Sequence, residues 1–162
     1  HFHAFCILYK ERRDKMKNRI KNPQWFSQSD GKILYFTNLG SITYDKFCMD
    51  NHRFCSLSMD HGDASNSYDL KVNVCDVQSV RFGYHMRAIL PGNVSLQAVF
   101  YDENDKRVNT DTKCVSDLVG VDFCDVCAVF PVPCQAAYAM LSMHFSGNVT
   151  ACTFGMPFLE LY

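Results

Sequence analysis

The 162-residue sequence has little that would tie it to nucleic acid, to a bilayer or to catalysis. Its 16 basic and 17 acidic residues leave a net charge of -1. No overall field favours a polyanion, and nucleic acid is excluded as a partner. No apolar run approaches the ~20 residues that a helix needs to cross a bilayer. No Gly-x-Ser-x-Gly elbow is present, and Asp60, Asp63, Asp69, Asp102, Glu103 and Asp105 fall in turn-like stretches rather than as a spaced catalytic pair. An enzyme is not expected. His1, His3, His52, His61, His85 and His144 follow no metal-ligand spacing, so no metal or cofactor is expected either. No segment repeats another. With 48% hydrophobic and 20% charged residues, the chain reads as one globular domain with its own core.

What it does have is nine cysteines and two acceptor triplets for asparagine-linked sugar, Asn93-Val94-Ser95 and Asn148-Val149-Thr150. Together they point to the secretory pathway, and hence to a secreted protein or the outer face of a cell. In that compartment Cys48, Cys55, Cys75, Cys114, Cys124, Cys127, Cys134 and Cys152 are disulfide candidates, with Cys48 and Cys55 a local pair. Cys124-Asp125-Val126-Cys127 has the spacing of a redox or zinc half-site but lacks a second copy, and a structural bridge is the preferred reading. Nine is odd, which leaves one thiol spare for a homo- or hetero-oligomeric partner. Cys6 is the first choice. If Cys6 pairs instead, Cys75 is expected to be the buried, inert one.

Residues 4–21 lack Gly and Pro and set Phe5, Leu8, Tyr9, Met16 and Ile20 near one side of a 3.6-residue repeat. One N-terminal α-helix is expected there, ending at Asn22 before Pro23. Residues 1–22 would form a helical extension and 23–162 a disulfide-stapled domain. The chain starts without Met and is read as a processed product or a piece of something larger. Its basic run from Lys10 to Lys21 could flank a membrane segment upstream of residue 1, although a helix docked on its own domain is the plainer reading.

Beyond Pro23 the texture changes to short apolar alternations divided by Gly, Asn, Asp and Pro, the pattern of an antiparallel two-sheet β-sandwich. The clearest strands are Tyr68 to Cys75, Val80 to Leu90, Val94 to Tyr101 and Tyr138 to Phe145. Weaker ones are Lys32 to Phe36, Ile42 to Phe47, Val121 to Phe130 and Thr153 to Tyr162. Pro91-Gly92-Asn93 is expected to close a hairpin over Val80 to Tyr101. Asp60 to Ser67 reads as an exposed loop, Lys106 to Asp117 as a polar loop or edge strand, and Gly147-Asn148 as a turn before the last strand.

The C-terminal half resembles the carbohydrate-binding modules of the galactose-binding-like jelly roll. The likeness lies in Ser79 to Ala88, in Asn93 to Asp105, in Phe130-Pro131-Val132-Pro133 followed by Ala136 to Phe145, and in the closing Thr153 to Tyr162. It implies a jelly-roll sandwich and a non-catalytic, glycan-binding role. The last strand departs from the family in having no acid before Glu160, which argues against a calcium site of the family type. The outward positions Arg81, His85, Arg87, Gln97, Tyr101 and His144 combine guanidinium, amide, imidazole and phenol, the mixture that sugars need. They are the candidate ligand-binding residues, with His85 and His144 close together if their strands share a sheet. Such a polar face is also what an ordinary solvated sheet presents. The rival reading is a structural or interaction domain of an extracellular assembly, docked on another extracellular protein through its N-terminal helix.

Overall fold

A computed structural model of the chain describes residues 17–162. Its strands are β1 (Phe36–Leu39), β2 (Thr43–Met49), β3 (His52–Asn73), β4 (Ser79–Arg87), β5 (Asn93–Tyr101), β6 (Arg107–Cys114), β7 (Cys124–Pro131) and β8 (Tyr138–Leu161), with a 3₁₀ turn at Ser116–Leu118. All pair antiparallel. Period-two alternation fixes which side each strand buries. Val80, Phe82, Tyr84 and Met86 of β4, and Val94, Leu96, Ala98 and Phe100 of β5, are fully buried.

A strand has two edges, yet β8 has three partners, so the sheet must fork. Its first half, Tyr138 to Ser146, lies between β3 and β5, while its second half lies between β3 and β4. Two layers result: β1-β3-β8-β5-β6, here the first layer, and β2-β3-β8-β4-β7, the second. β3 and β8 run through both. A straight strand would separate Phe145 from Phe154 by ~30 Å, but their ring centroids are 5.4 Å apart. Both strands therefore fold over at the crossing, where Gly62 faces Gly147 and the registers shift. Gly147 at φ +78° and Ala151 at φ +50° absorb the bend. Between the layers the Tyr84 hydroxyl donates to Asn66 Oδ1 at 2.7 Å.

Several expectations are corrected. Residues 17–22 are not helical, and the rest of the expected helix lies outside the described residues. They bond to β8 instead: Arg19 N–H donates to Leu159 O at 2.9 Å, and the Asn18 side chain donates through Nδ2 to Pro157 O at 3.1 Å and accepts through Oδ1 from Leu159 N–H. Ile20 enters the core. Asp60 to Ser67 is no loop but the middle of β3, because Asn66 finds partners inside: it also donates to Asn38 Oδ1 at 2.7 Å. Val80 to Tyr101 is not a hairpin, since β4 and β5 belong to different layers and residues 88–92 cross between them. Gly147-Asn148 lies inside β8 rather than ending a strand. Lys32 to Phe36 contributes one isolated bridge, Ser27 to Ile33, before β1 begins.

No staple is drawn among the described residues. All eight described cysteines are free thiols, and Cys6 lies outside the described residues. Cys48 is exposed, whereas Cys55 points into the core and accepts from Asn38 Nδ2 at 3.6 Å. Cys75 is exposed rather than buried. Burial pushes the Cys55 and Cys152 thiols up to about 12, while a hydrogen bond with Ser116 draws exposed Cys114 below the usual thiol range. Thiolate is the nucleophile. Alkylation of the native chain with iodoacetamide is expected to mark Cys114 early and leave Cys55 and Cys152 untouched until denaturant is added. Peptide mass mapping reads the order, and labelling of Cys152 as fast as Cys114 would contradict this core.

Candidate functional site

The six residues proposed from sequence do not meet. Gln97, Tyr101 and His144 lie on the outer side of the first layer, and Arg81, His85 and Arg87 on that of the second. His85 and His144 are thus on different layers. The reason is the fork: β4 joins the second half of β8, and His144 is in the first.

On the second layer the three side chains are occupied by neighbours. Arg81 bonds Glu160 at 3.0 Å, with side-chain exposures of 14% and 3%, and its Nε donates to Cys127 Sγ at 3.4 Å. A pair this buried must offset its own desolvation through such contacts. His85 Nδ1 is 3.0 Å from Asp125 Oδ1, and its ring stacks on Phe123 at 5.3 Å. The Arg87 guanidinium lies 4.6 Å from the same ring centroid. These contacts hold β4, β7 and β8 together.

The first layer presents a different surface. Register aligns its outward residues in rows across the strands: Leu39, Ser65, His144, Ser95 and Cys114; then Thr37, Ser67, Ser142, Gln97 and Thr112. Val99 stands opposite Met140, and Tyr101 opposite Tyr138. From Ser95 to Tyr101 the strip runs ~20 Å.

At one end the Tyr101 and Tyr138 rings stack with centroids 5.0 Å apart and planes 11° from parallel. Lys71 Nζ sits 4.4 Å from the Tyr138 centroid and 3.0 Å from Asp105 Oδ1, which also accepts from the Tyr138 hydroxyl at 2.8 Å. Those two donors hold the Asp105 carboxyl below the usual range. In the middle Gln97 Nε2 donates to Thr112 at 3.1 Å. At the far end a groove of about 550 Å³ opens, lined by Leu39, Ser65, Asn93, Ser95, Cys114 and His144. His144 Nε2 is 2.8 Å from Ser142 Oγ, and burial lowers its pKa from the usual imidazole value, which favours the neutral ring.

Tyr138, Lys71 and Asp105 were missed from sequence. Tyr138 was within reach, because it shares its parity with His144 along one strand. Lys71 and Asp105 come from other elements, and only the fold brings them to the ring. Among the described residues no cluster of His, Cys, Asp or Glu could hold a metal ion, and no helix is long and apolar enough to cross a membrane.

No protein-family model and no curated protein sequence matches the chain. Solved structures do. The enzymatically active domain of tailspike protein 4 of bacteriophage CBA120 aligns over 90% of this chain with a TM-score of 0.65 and 16% identity, although the chain spans only 21% of that domain. A family 61 carbohydrate-binding module solved with β-1,4-galactotriose aligns over 90% of this chain and 99% of its own length, TM-score 0.63 and 12% identity. The xylan-binding family 22 module of Paenibacillus barcinonensis aligns over 90% and 95%, TM-score 0.55 and 11% identity. At these identities the shared property is the fold, and the chain has the jelly-roll fold of carbohydrate-binding modules.

Proposed function

We propose that the chain is a non-catalytic carbohydrate-binding domain that holds an extended glycan along the outer side of its first layer. The observation that carries this reading is the strip itself. It has a stacked tyrosine platform at one end, amide and hydroxyl groups along the middle, and a groove with the His144 imidazole at the other. Aromatic faces take the C–H side of a sugar ring, and fixed polar groups select its hydroxyls. The fold neighbours that bind galactotriose and xylan agree with this chemistry.

The sugar acceptors Asn93 and Asn148 are both exposed, which supports a secreted, glycosylated chain. Cys75 and Cys134 line one cleft of about 560 Å³. A protein-partner role draws support from one feature, the exposed Ile89, Leu90, Leu118 and Val121 on connections joined by the Ala88 N–H to Gly120 O bond.

Affinity electrophoresis through gels cast with β-1,4-galactan, xylan or other plant and microbial polysaccharides tests the proposal. Retardation is expected in at least one gel. Tyr101→Ala and Tyr138→Ala should each weaken it about tenfold, on the scale of 1.4 kcal/mol per decade. Arg87→Ala, on the other layer, should retain binding. No retardation in any gel, or loss with Arg87→Ala alone, would remove the reading.

A further inference from the structure

The acceptor Asn93 and the groove belong to one surface. Asn93 has the same parity along β5 as Ser95 and Gln97, and β5 alternates regularly through this stretch, with Val94, Leu96 and Ala98 turned inward. The Asn93 side chain therefore stands on the outer side of the first layer, one step of the strand, ~7 Å, from the row of Ser95 and His144. It is exposed, and it lines the groove together with Ser95, Cys114 and His144. A sugar on its amide nitrogen starts at the lip of that groove. Asn148 differs: its Oδ1 accepts from His61 N–H at 3.0 Å on the crossing, and it does not line the groove.

We infer that the chain's own Asn93-linked glycan lies over the groove of the first layer and controls entry to it. The inference rests on the glycosylated, secreted reading above. Its chemistry is consistent with the proposed ligand class, because the resident glycan and an incoming glycan would meet the same His144, Ser95 and Ser65 groups. The Gly92 turn packs on the backbone of β8 at the crossing: a Cβ at Gly92 would lie 2.7 Å from Ser146 O and 2.8 Å from Asn148 O. That contact, with the pairing of Asn93 to Ser146, holds the Asn93 backbone at the lip.

Cys114 supplies a reporter inside the groove that needs no sugar ligand. The chain is produced by a secretory host, and peptide mass mapping measures both occupancy of Asn93 and alkylation of Cys114. Iodoacetamide serves as the small probe and a maleimide carrying a long polyethylene glycol chain as the bulky one. With the Asn93 glycan present, the bulky probe should react about tenfold more slowly than in Asn93→Gln, while the small probe changes less than about twofold, as expected of a bulky surface sugar. Enzymatic removal of the glycan should reproduce Asn93→Gln, and Asn148→Gln should match the unaltered chain. Equal bulky-probe rates with and without the glycan would overturn the inference, as would an unoccupied Asn93 or a Cys114 that stays unreactive to the small probe in Asn93→Gln. Polysaccharide retardation by the unglycosylated chain would then stand or fall separately.

Discussion

Replacing Trp25 with alanine is expected to remove about 3–5 kcal/mol of stability, a large share of the ~5–15 kcal/mol that a domain has. Trp25 belongs to no strand, yet none of it is exposed. Its ring meets Phe36 of the first layer at 5.4 Å, and Tyr84 and Phe154 of the second at 6.1 and 5.7 Å, each edge to face. The side chain thus plugs the space between the layers, and truncation leaves a cavity that two hydrogen-bonded sheets cannot close. Its backbone is held just as firmly: Trp25 N–H donates to Asn22 O at 3.1 Å, the Tyr44 hydroxyl donates to Trp25 O, and Arg53 N–H donates to Gln24 O at 3.0 Å. Because the indole Nε1 is buried without a hydrogen-bond partner, Trp25→Phe forfeits no such bond and should lose only ~1–2 kcal/mol. Urea unfolding followed by circular dichroism measures both, since Trp25 is the single tryptophan. Equal losses for the two variants would show that the ring does not fill the interlayer space.

Asn66→Leu should destabilise by about 2–5 kcal/mol although it places an apolar side chain in a fully buried site, because it orphans two groups at ~1–3 kcal/mol each. Asn66 accepts from the Tyr84 hydroxyl and donates to Asn38 Oδ1, both at 2.7 Å. Asn38 in turn reaches Cys55 Sγ, so one chain of polar contacts runs from β4 through β3 to β1 and back to β3. Removing the Tyr84 hydroxyl as well should recover part of the loss, and Asn66→Leu with Tyr84→Phe is expected to be more stable than Asn66→Leu alone. Additive losses in that double variant, read by the same unfolding curves, would refute the network.

The alternating apolar residues of β4, β5 and β8 declared both the strands and their buried sides, since a two-residue period admits one inward set. What stayed hidden was pairing. Pro91-Gly92-Asn93 has turn chemistry, but that chemistry serves a crossing between layers as well as a hairpin, and the ladder partners of β4, β7 and β8, lie about 45 and about 70 residues away. The polar run Asp60 to Ser67 looked like a loop because its buried asparagine is satisfied by Asn38 and Tyr84, which no local pattern reveals. The candidate site divided for the same reason. Arg81, His85 and Arg87 had the right faces, but their partners Glu160, Asp125 and Phe123 come from other elements. Tyr101 and His144 remained on one strip only because both halves of it meet at β8.

The passage of β3 and β8 through both layers sets the order in which the molecule can be made. Phe54 pairs with Gly155 and Tyr68 with Leu141, so the long central strand leaves the ribosome well before the strand that covers its inner edge exists. Neither layer can close before β8 is made, and the 22 residues of β3 keep an open edge until then. A chain of this design completes its fold only after β8 has emerged, and it depends until then on whatever shields an unpaired edge from its neighbours.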